Sequence, residues 1–190
     1  MLLLASMGMV GLESCAVVHP EGLPDGPAAQ SLAANLDALR EDFNANTERA
    51  RVVAFLSPTC PYSGQSIDAL EEALRMEPDA DVRVLVVWLD ELPEDCIDAG
   101  RLVAMRLSDR RVGFYHDDRR RASMVLARQV LPTAAVSRTL LCYEPGVEWH
   151  EEPPQPVRVA HQMGRIAPHD YCPPEQLPQV LSDEWRVRAN

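Results

Sequence analysis

Lysine is absent from this 190-residue chain, so all 18 of its basic residues are arginine, and 29 acidic residues outnumber them to leave a formal net charge of -11. A surplus of that sign gives no bulk attraction to nucleic acid or anionic lipid, and neither is an expected partner. Internal repeats are missing too, which excludes a solenoid or a fibre. No long hydrophobic run occurs. Residues 1–12 are apolar or small without a charge, and this run stops at Glu13, short of the roughly 20 residues a spanning helix needs. His161, His169 and Cys172 match no compact zinc spacing, so no metal site is expected. What is present fits a globular protein with one sizeable core: 46% hydrophobic and 25% charged residues.

The apolar N-terminus has the length of a secretory signal core, and the small residues Ser14, Cys15 and Ala16 follow it as a cleavage region, although a basic start is lacking. Leu12-Glu13-Ser14-Cys15 also has the outline of a lipoprotein box, with Glu13 as a departure from it. Residues 1–17 are therefore read as a signal or lipoprotein segment. The expected location is periplasmic or extracytoplasmic, with membrane attachment only through an N-terminal lipid. A cytoplasmic protein with a short buried apolar start, or with a misassigned start, is the alternative. Residues 18–27, with Pro20, Gly22, Pro24 and Gly26, read as a linker. Residues 28–190 then form a single domain with a proline-rich C-terminal extension.

Within that domain, Leu32, Leu36, Leu39 and Phe43 recur at helical spacing and predict a first helix over residues 28–46. Residues 51–57 and 81–90 are apolar, β-prone runs with little alternation, as in strands of a parallel sheet covered on both faces. Between them Ile67, Leu70 and Leu74 share one helical face, which makes a strand, helix, strand unit. Further elements are expected as a helix over 97–107, a strand over 111–115 and a helix over 119–130. A strand pair over 133–143 and 147–149 should follow, turned by Pro145-Gly146, and then a tail ending in a short helix.

The chemistry concentrates in residues 56–64, LSPTCPYSG. Cys60 falls at the end of a buried strand and the mouth of an amphipathic helix. Unpaired N–H groups at a helix start favour a thiolate over a thiol, and the thiolate is the nucleophile. Pro61 suits the first helical turn, where its missing N–H costs nothing. Ser63 either donates to the sulfur or caps the helix, and Tyr62 is either an idle exposed ring or a lip for substrate. The HDDRRR stretch at 116–121 reads as a solvated helix start of mixed charge.

This strand, followed by CPYS, an acidic amphipathic helix and a second buried strand, resembles the thioredoxin superfamily, nearest to TlpA-like and other exported thioredoxins. The tetrapeptide is similar to that of monothiol glutaredoxins. The resemblance covers roughly residues 50–143. It implies an α/β, three-layer thioredoxin-like fold with a central mixed sheet flanked by helices, and Cys60 as nucleophile at the first strand-to-helix junction. It further implies a cis proline before a late strand, with Pro132 as the candidate that would meet substrate beside Pro61 and Tyr62. Thr59 and Ser63 stand where those families carry Trp and a second Cys, so exchange within a CxxC pair is excluded.

A lone thiolate can still attack a disulfide, after which an external thiol such as glutathione, or another cysteine of the chain, must release it. Cys96, in the loop after the second strand, is the candidate resolving cysteine; Cys142 either staples the tail with Cys172 or, lying in an apolar strand, is a buried cysteine acting as a small hydrophobe. The expected activity is thiol-disulfide exchange or deglutathionylation, with a protein disulfide or glutathione adduct as partner. No cofactor is expected beyond glutathione as co-substrate. A redox-inactive binding module and a peroxide-reactive thiol protein are the alternatives.

Overall fold

The computed structural model describes residues 27–164 and 166–186. The signal or lipoprotein segment, Cys15 and nearly all of the linker lie outside the described residues. The elements in chain order are β1 (Gln30–Ser31), α1 (Asp37–Ala45), β2 (Ala50–Leu56), α2 (Pro61–Met76), β3 (Val82–Leu89), α3 (Ile97–Ala104) with a 3-10 turn at Met105–Leu107, β4 (Val112–Asp117), α4 (Arg121–Val130), β5 (Thr139–Tyr143), β6 (Arg158–His161) and α5 (Leu177–Arg186). The six strands form one sheet in the order β1-β4-β3-β2-β5-β6. Strands β1 to β4 run parallel, β5 is antiparallel to β2, and β6 is antiparallel to β5. The expected mixed α/β sheet with helices on both faces is the architecture found.

Period-two alternation divides the strand side chains between two cores. Val52, Ala54 and Leu56 of β2 and Val84, Val86 and Trp88 of β3 face Ile67, Leu70 and Leu74 of α2, Ala104 of α3, and Leu177, Leu181 and Trp185 of α5. Val53, Phe55, Leu85, Val87 and Leu89 face Leu39 and Phe43 of α1 and Ala122 and Leu126 of α4. Every residue of β2 is buried, as a central strand covered on both faces requires. The proline-rich C-terminal segment supplies the edge strand β6 and leads into α5, whose apolar residues share a core with α2.

Two expectations are corrected. The first helix starts at Asp37 rather than near Ala28, because Gln30 and Ser31 pair with Tyr115 and His116 and the Leu32 amide donates to the His116 carbonyl at 2.8 Å. Leu32 and Leu36 still reach the core, but from a turn. The second correction concerns the late hairpin: β5 is confined to Thr139–Tyr143, and its outer partner is β6, not residues 147–149. Arg51 is the reason. Its guanidinium, wholly buried, donates to the carbonyls of Glu144 and Val147, the latter at 2.8 Å, and lies 4.5 Å from the centre of the Phe43 ring. Asn44 completes the arrangement by exchanging two hydrogen bonds of 2.8 Å with the backbone of Trp149. The turn at Pro145-Gly146 is thereby docked on the end of α1, with the Gly146 amide donating to the Thr47 carbonyl at 2.7 Å, and cannot return along β5.

Close packing under α3 generates a test. A Cβ added at Gly100 would lie 2.6 Å from Cδ1 of Trp88, a ring with no exposed surface. Gly100→Ala is expected to cost about 1–3 kcal/mol through overpacking. Gly64→Ala, in α2 with nothing within 4 Å of the new carbon, is expected to be neutral or to stabilise by about 0.5–1 kcal/mol. Urea unfolding followed by tryptophan fluorescence checks both, and equal midpoints for the two variants would show that the Trp88 contact is not tight.

Candidate active site

Burial of β2 forces the chain to emerge at Ser57, and α2 begins four residues later at Pro61, so Cys60 stands between a rigid strand and a helix of 16 residues. Cys60 is the N-cap of α2, in extended conformation at φ -74 and ψ 122, with Pro61 in the first turn. Its amide donates to the Ser57 carbonyl at 3.3 Å and its carbonyl accepts from Gly64 at 3.0 Å. The thiol is free and half-buried. Ser63 has no exposed surface, and its hydroxyl oxygen accepts the Ser57 amide at 3.1 Å, tying the first turn of α2 to the end of β2.

The residue that organises this loop is Asp95, which the sequence reading did not single out. Its carboxylate, 6% exposed, accepts five hydrogen bonds. The Ser57 hydroxyl donates at 2.7 Å, and Thr59 donates through its amide at 3.0 Å and its hydroxyl at 2.6 Å. The amides of Glu91 and Leu92 supply the other two at 2.9 and 2.8 Å. Burial opposes ionisation of Asp95, but the hydrogen bonds from Thr59, Leu92, Ser57 and Glu91 outweigh it and hold the carboxyl below the usual carboxylate range. Thr59, in the place where the resembling families carry tryptophan, therefore joins the cysteine loop to the loop after β3.

A second set of contacts flanks the thiol from the β5 side. Tyr62 is 60% exposed, and the guanidinium of Arg138 lies 5.5 Å from the centre of its ring, a cation–π contact. Arg138 has φ 44, in the left-handed region that a non-glycine residue enters at a cost. Its carbonyl accepts the Gln162 amide at 2.9 Å, and Gln162 accepts the Ser66 hydroxyl of α2 at 3.0 Å. Ser137, next to Arg138, donates its hydroxyl to Glu91 at 2.6 Å. Loops after β2 and β3, before β5 and after β6 thus converge around Cys60.

Other sequence-predicted residues fall as follows. Pro132 is exposed just after α4, in an irregular stretch seven residues before β5 begins, and the described peptide bonds are all trans. The expected cis proline is thus not found at Pro132: the Leu131 carbonyl accepts from Thr133 and the Ser123 carbonyl from Val136, which delays the strand to Thr139. The residue beside Tyr62 is Arg138. Cys96 is the N-cap of α3, its free sulfur accepting the Ala99 amide at 3.5 Å.

Cys142 and Cys172 are buried in the same core and no disulfide joins them, so the expected staple of the tail is not formed, and burial pushes the Cys172 thiol up. In the 116–121 stretch, Asp117 is 1% exposed and accepts the amides of Arg121 and Ala122 at 2.9 and 2.8 Å, so it caps α4. His161 is saturated, with one ring nitrogen 2.9 Å from the Ala167 carbonyl and the other accepting from Met163 at 3.2 Å. Among the described residues no group of three or more His, Cys, Asp or Glu side chains is placed to hold a metal ion.

The strand order, with the cysteine at the β2–α2 junction, makes a mixed α/β domain of the architecture that the resemblance to thioredoxins implies. No protein-family model matches the sequence, and no curated protein matches it. Among solved structures the chain is similar to a candidate thioredoxin from Neisseria meningitidis, at 16% identity and a TM-score of 0.48 over 75% of this chain and 79% of that one. It is also similar to a thiol:disulfide interchange protein of the thioredoxin family from Chlorobium tepidum, at 8% identity and a TM-score of 0.46 over 89% and 100%.

Asp95→Asn puts an amide N–H₂ among five donors and is expected to destabilise the domain by about 2–4 kcal/mol. The folded carboxyl titrates below its unfolded value of about 3.9, so its contribution is complete above that value and drains away as pH falls through the folded one. The stability gap between wild type and Asp95→Asn should accordingly be constant from neutrality to about pH 5 and shrink below about pH 4. Denaturant midpoints at each pH measure it. A gap that persists undiminished in acid would mean that the carboxylate's charge is not what holds the loops.

Proposed function

We propose that the protein is a thiol-disulfide exchange protein in which Cys60 attacks a disulfide or a glutathione adduct. The observation that carries this reading is a free, half-buried thiol at the N-terminus of a 16-residue helix, on a loop held at Ser57 and Thr59 by a buried carboxylate. Helix N-terminal N–H groups stabilise negative charge on sulfur during attack and release. The exposed Tyr62 and the half-buried Arg138 form the rim that an incoming disulfide would meet, and the arginine suits a substrate bearing a carboxylate, as glutathione does. Ser63, spent on the Ser57 amide, serves the loop's geometry.

The uncharged residues 1–12 support an extracytoplasmic setting, where protein disulfides are plentiful. Among the described residues no helix is long and apolar enough to cross a membrane. Fractionation of cells expressing the full chain, with recovery only in the cytosol, would remove that setting.

The exposed Tyr62 ring also suits a binding module without redox activity, and one experiment separates the two readings. The reduced chain is mixed with a chromogenic aromatic disulfide and with a glutathionylated peptide. Wild type should show a fast phase of thiolate release that Cys60→Ala slows at least tenfold, and peptide reduction in the presence of glutathione that the variant loses. Cys96→Ser should retain the fast phase. Indistinguishable rates for wild type and Cys60→Ala would refute exchange at Cys60 and leave the binding reading.

A further inference from the structure

Cys60 and Cys96 share one local design. Each is the N-cap of a helix, Cys60 of α2 and Cys96 of α3, and each is half-buried and free. The residues immediately before them are bonded to one another: Oδ1 of Asp95 accepts both the amide and the hydroxyl of Thr59, at 3.0 and 2.6 Å. The two helix starts are therefore laced together one residue upstream of each sulfur. The remaining described cysteines, Cys142 and Cys172, are buried in the apolar core under the sheet.

We propose that Cys96 is the internal resolving thiol and that Cys60 and Cys96 cycle between a dithiol and a disulfide, an inference that rests on Cys60 being the attacking nucleophile. In the first step the Cys60 thiolate attacks a substrate disulfide R–S–S–R′. The Cys60–S–R bond forms, the substrate S–S bond breaks, and R′S⁻ leaves and takes a proton from water. In the second step Cys96 gives its proton to water and attacks the Cys60 sulfur. The Cys60–Cys96 bond forms and RS⁻ leaves with the electron pair. The substrate has gained two electrons and the cysteine pair has lost two. A dithiol reductant returns the pair to its starting state.

The second step has a structural consequence. The Cys96 sulfur now accepts the Ala99 amide at 3.5 Å, and turning toward Cys60 withdraws it from the first turn of α3, which is uncapped in the oxidised form. Because Ser63 provides no second thiol within the tetrapeptide, the resolving sulfur comes from the loop that Asp95 already holds beside it.

The test uses the full reduced chain and oxidised glutathione at equal concentration, followed by acid quenching, trypsin digestion without reduction, and mass spectrometry. Arg75 and Arg83 lie between the two cysteines, so a cross-link joins two separate peptides. Wild type is expected to release two glutathiones per chain and to yield the Cys60–Cys96 cross-linked peptide pair. Cys96→Ser is expected to release one and to retain at least tenfold more glutathione on Cys60. Wild type holding its glutathione adduct on Cys60 as firmly as Cys96→Ser, or linking Cys60 to Cys15, Cys142 or Cys172 instead, would overturn the pairing while leaving Cys60 as nucleophile. Failure of both proteins to take glutathione on Cys60 would overturn the nucleophile reading and the pairing with it.

Discussion

A single buried carboxylate decides the shape of the cysteine-bearing end of this protein. Asp95 lies in the loop after β3, yet three of its five hydrogen bonds come from Ser57 and Thr59 in the loop after β2. Bonds to a charged acceptor are worth more than neutral ones, and a charge taken out of water at this depth is tolerated only when donors surround it. The energetic logic is therefore mutual. The donors keep the carboxylate ionised, and the ionised carboxylate fixes the two donors of Thr59, so the residue before Cys60 has little freedom left. A loop that must deliver a sulfur to the start of a helix gains accuracy from being anchored one residue upstream.

That anchor works because the elements beneath it are rigid. Strand β2 is buried along its whole length between two apolar layers, with Val52, Ala54 and Leu56 packing toward α2 and α5 and Val53 and Phe55 toward α1 and α4. Arg51 makes the far end equally inflexible: burial lowers its pKa, and its guanidinium is held by two loop carbonyls and the face of Phe43. A buried cation of this kind is kept for the backbone it positions, since an apolar residue would fill the space without specifying the turn. Both ends of the central strand thus end in charged side chains, Arg51 at the base and Asp95 across the top, each binding a neighbouring loop.

The sequence made the strand, the helix and Cys60 legible because all three are written in consecutive residues: an apolar run, a proline suited to a first turn, and Ile67, Leu70 and Leu74 on one face. Asp95 was hidden for the opposite reason. Its partners at positions 57 and 59 are 38 and 36 residues away, and nothing local marks an aspartate in an acidic loop as the one that turns inward. Arg138 was hidden similarly, its meeting with Tyr62 depending on where β5 begins. Periodicity extended the first helix and β5 too far because Leu32, Leu36 and Val136 are buried from turns. Apolar spacing reports burial faithfully and backbone conformation only when the hydrogen-bond partners agree. The turn at Pro145-Gly146 was visible, but what it turned toward was set by Arg51 and Asn44.

Ser63, standing where the resembling families carry a second cysteine, leaves the tetrapeptide with one thiol. A hydroxyl at this position, buried and accepting the Ser57 amide, strengthens the link between β2 and α2 but cannot complete a redox pair. The loop after β3 is the element that the Asp95 network already brings to the thiol, and the residue following Asp95 is a cysteine at the head of its own helix. Charge supports the same division of labour. The chain is strongly acidic overall, while the rim beside Cys60 presents the Arg138 guanidinium on an exposed aromatic ring. On the proposed reading, a substrate would meet there a local cation whose field reaches about one Debye length, roughly 8 Å at physiological ionic strength, while the net charge repels anionic partners elsewhere on the surface.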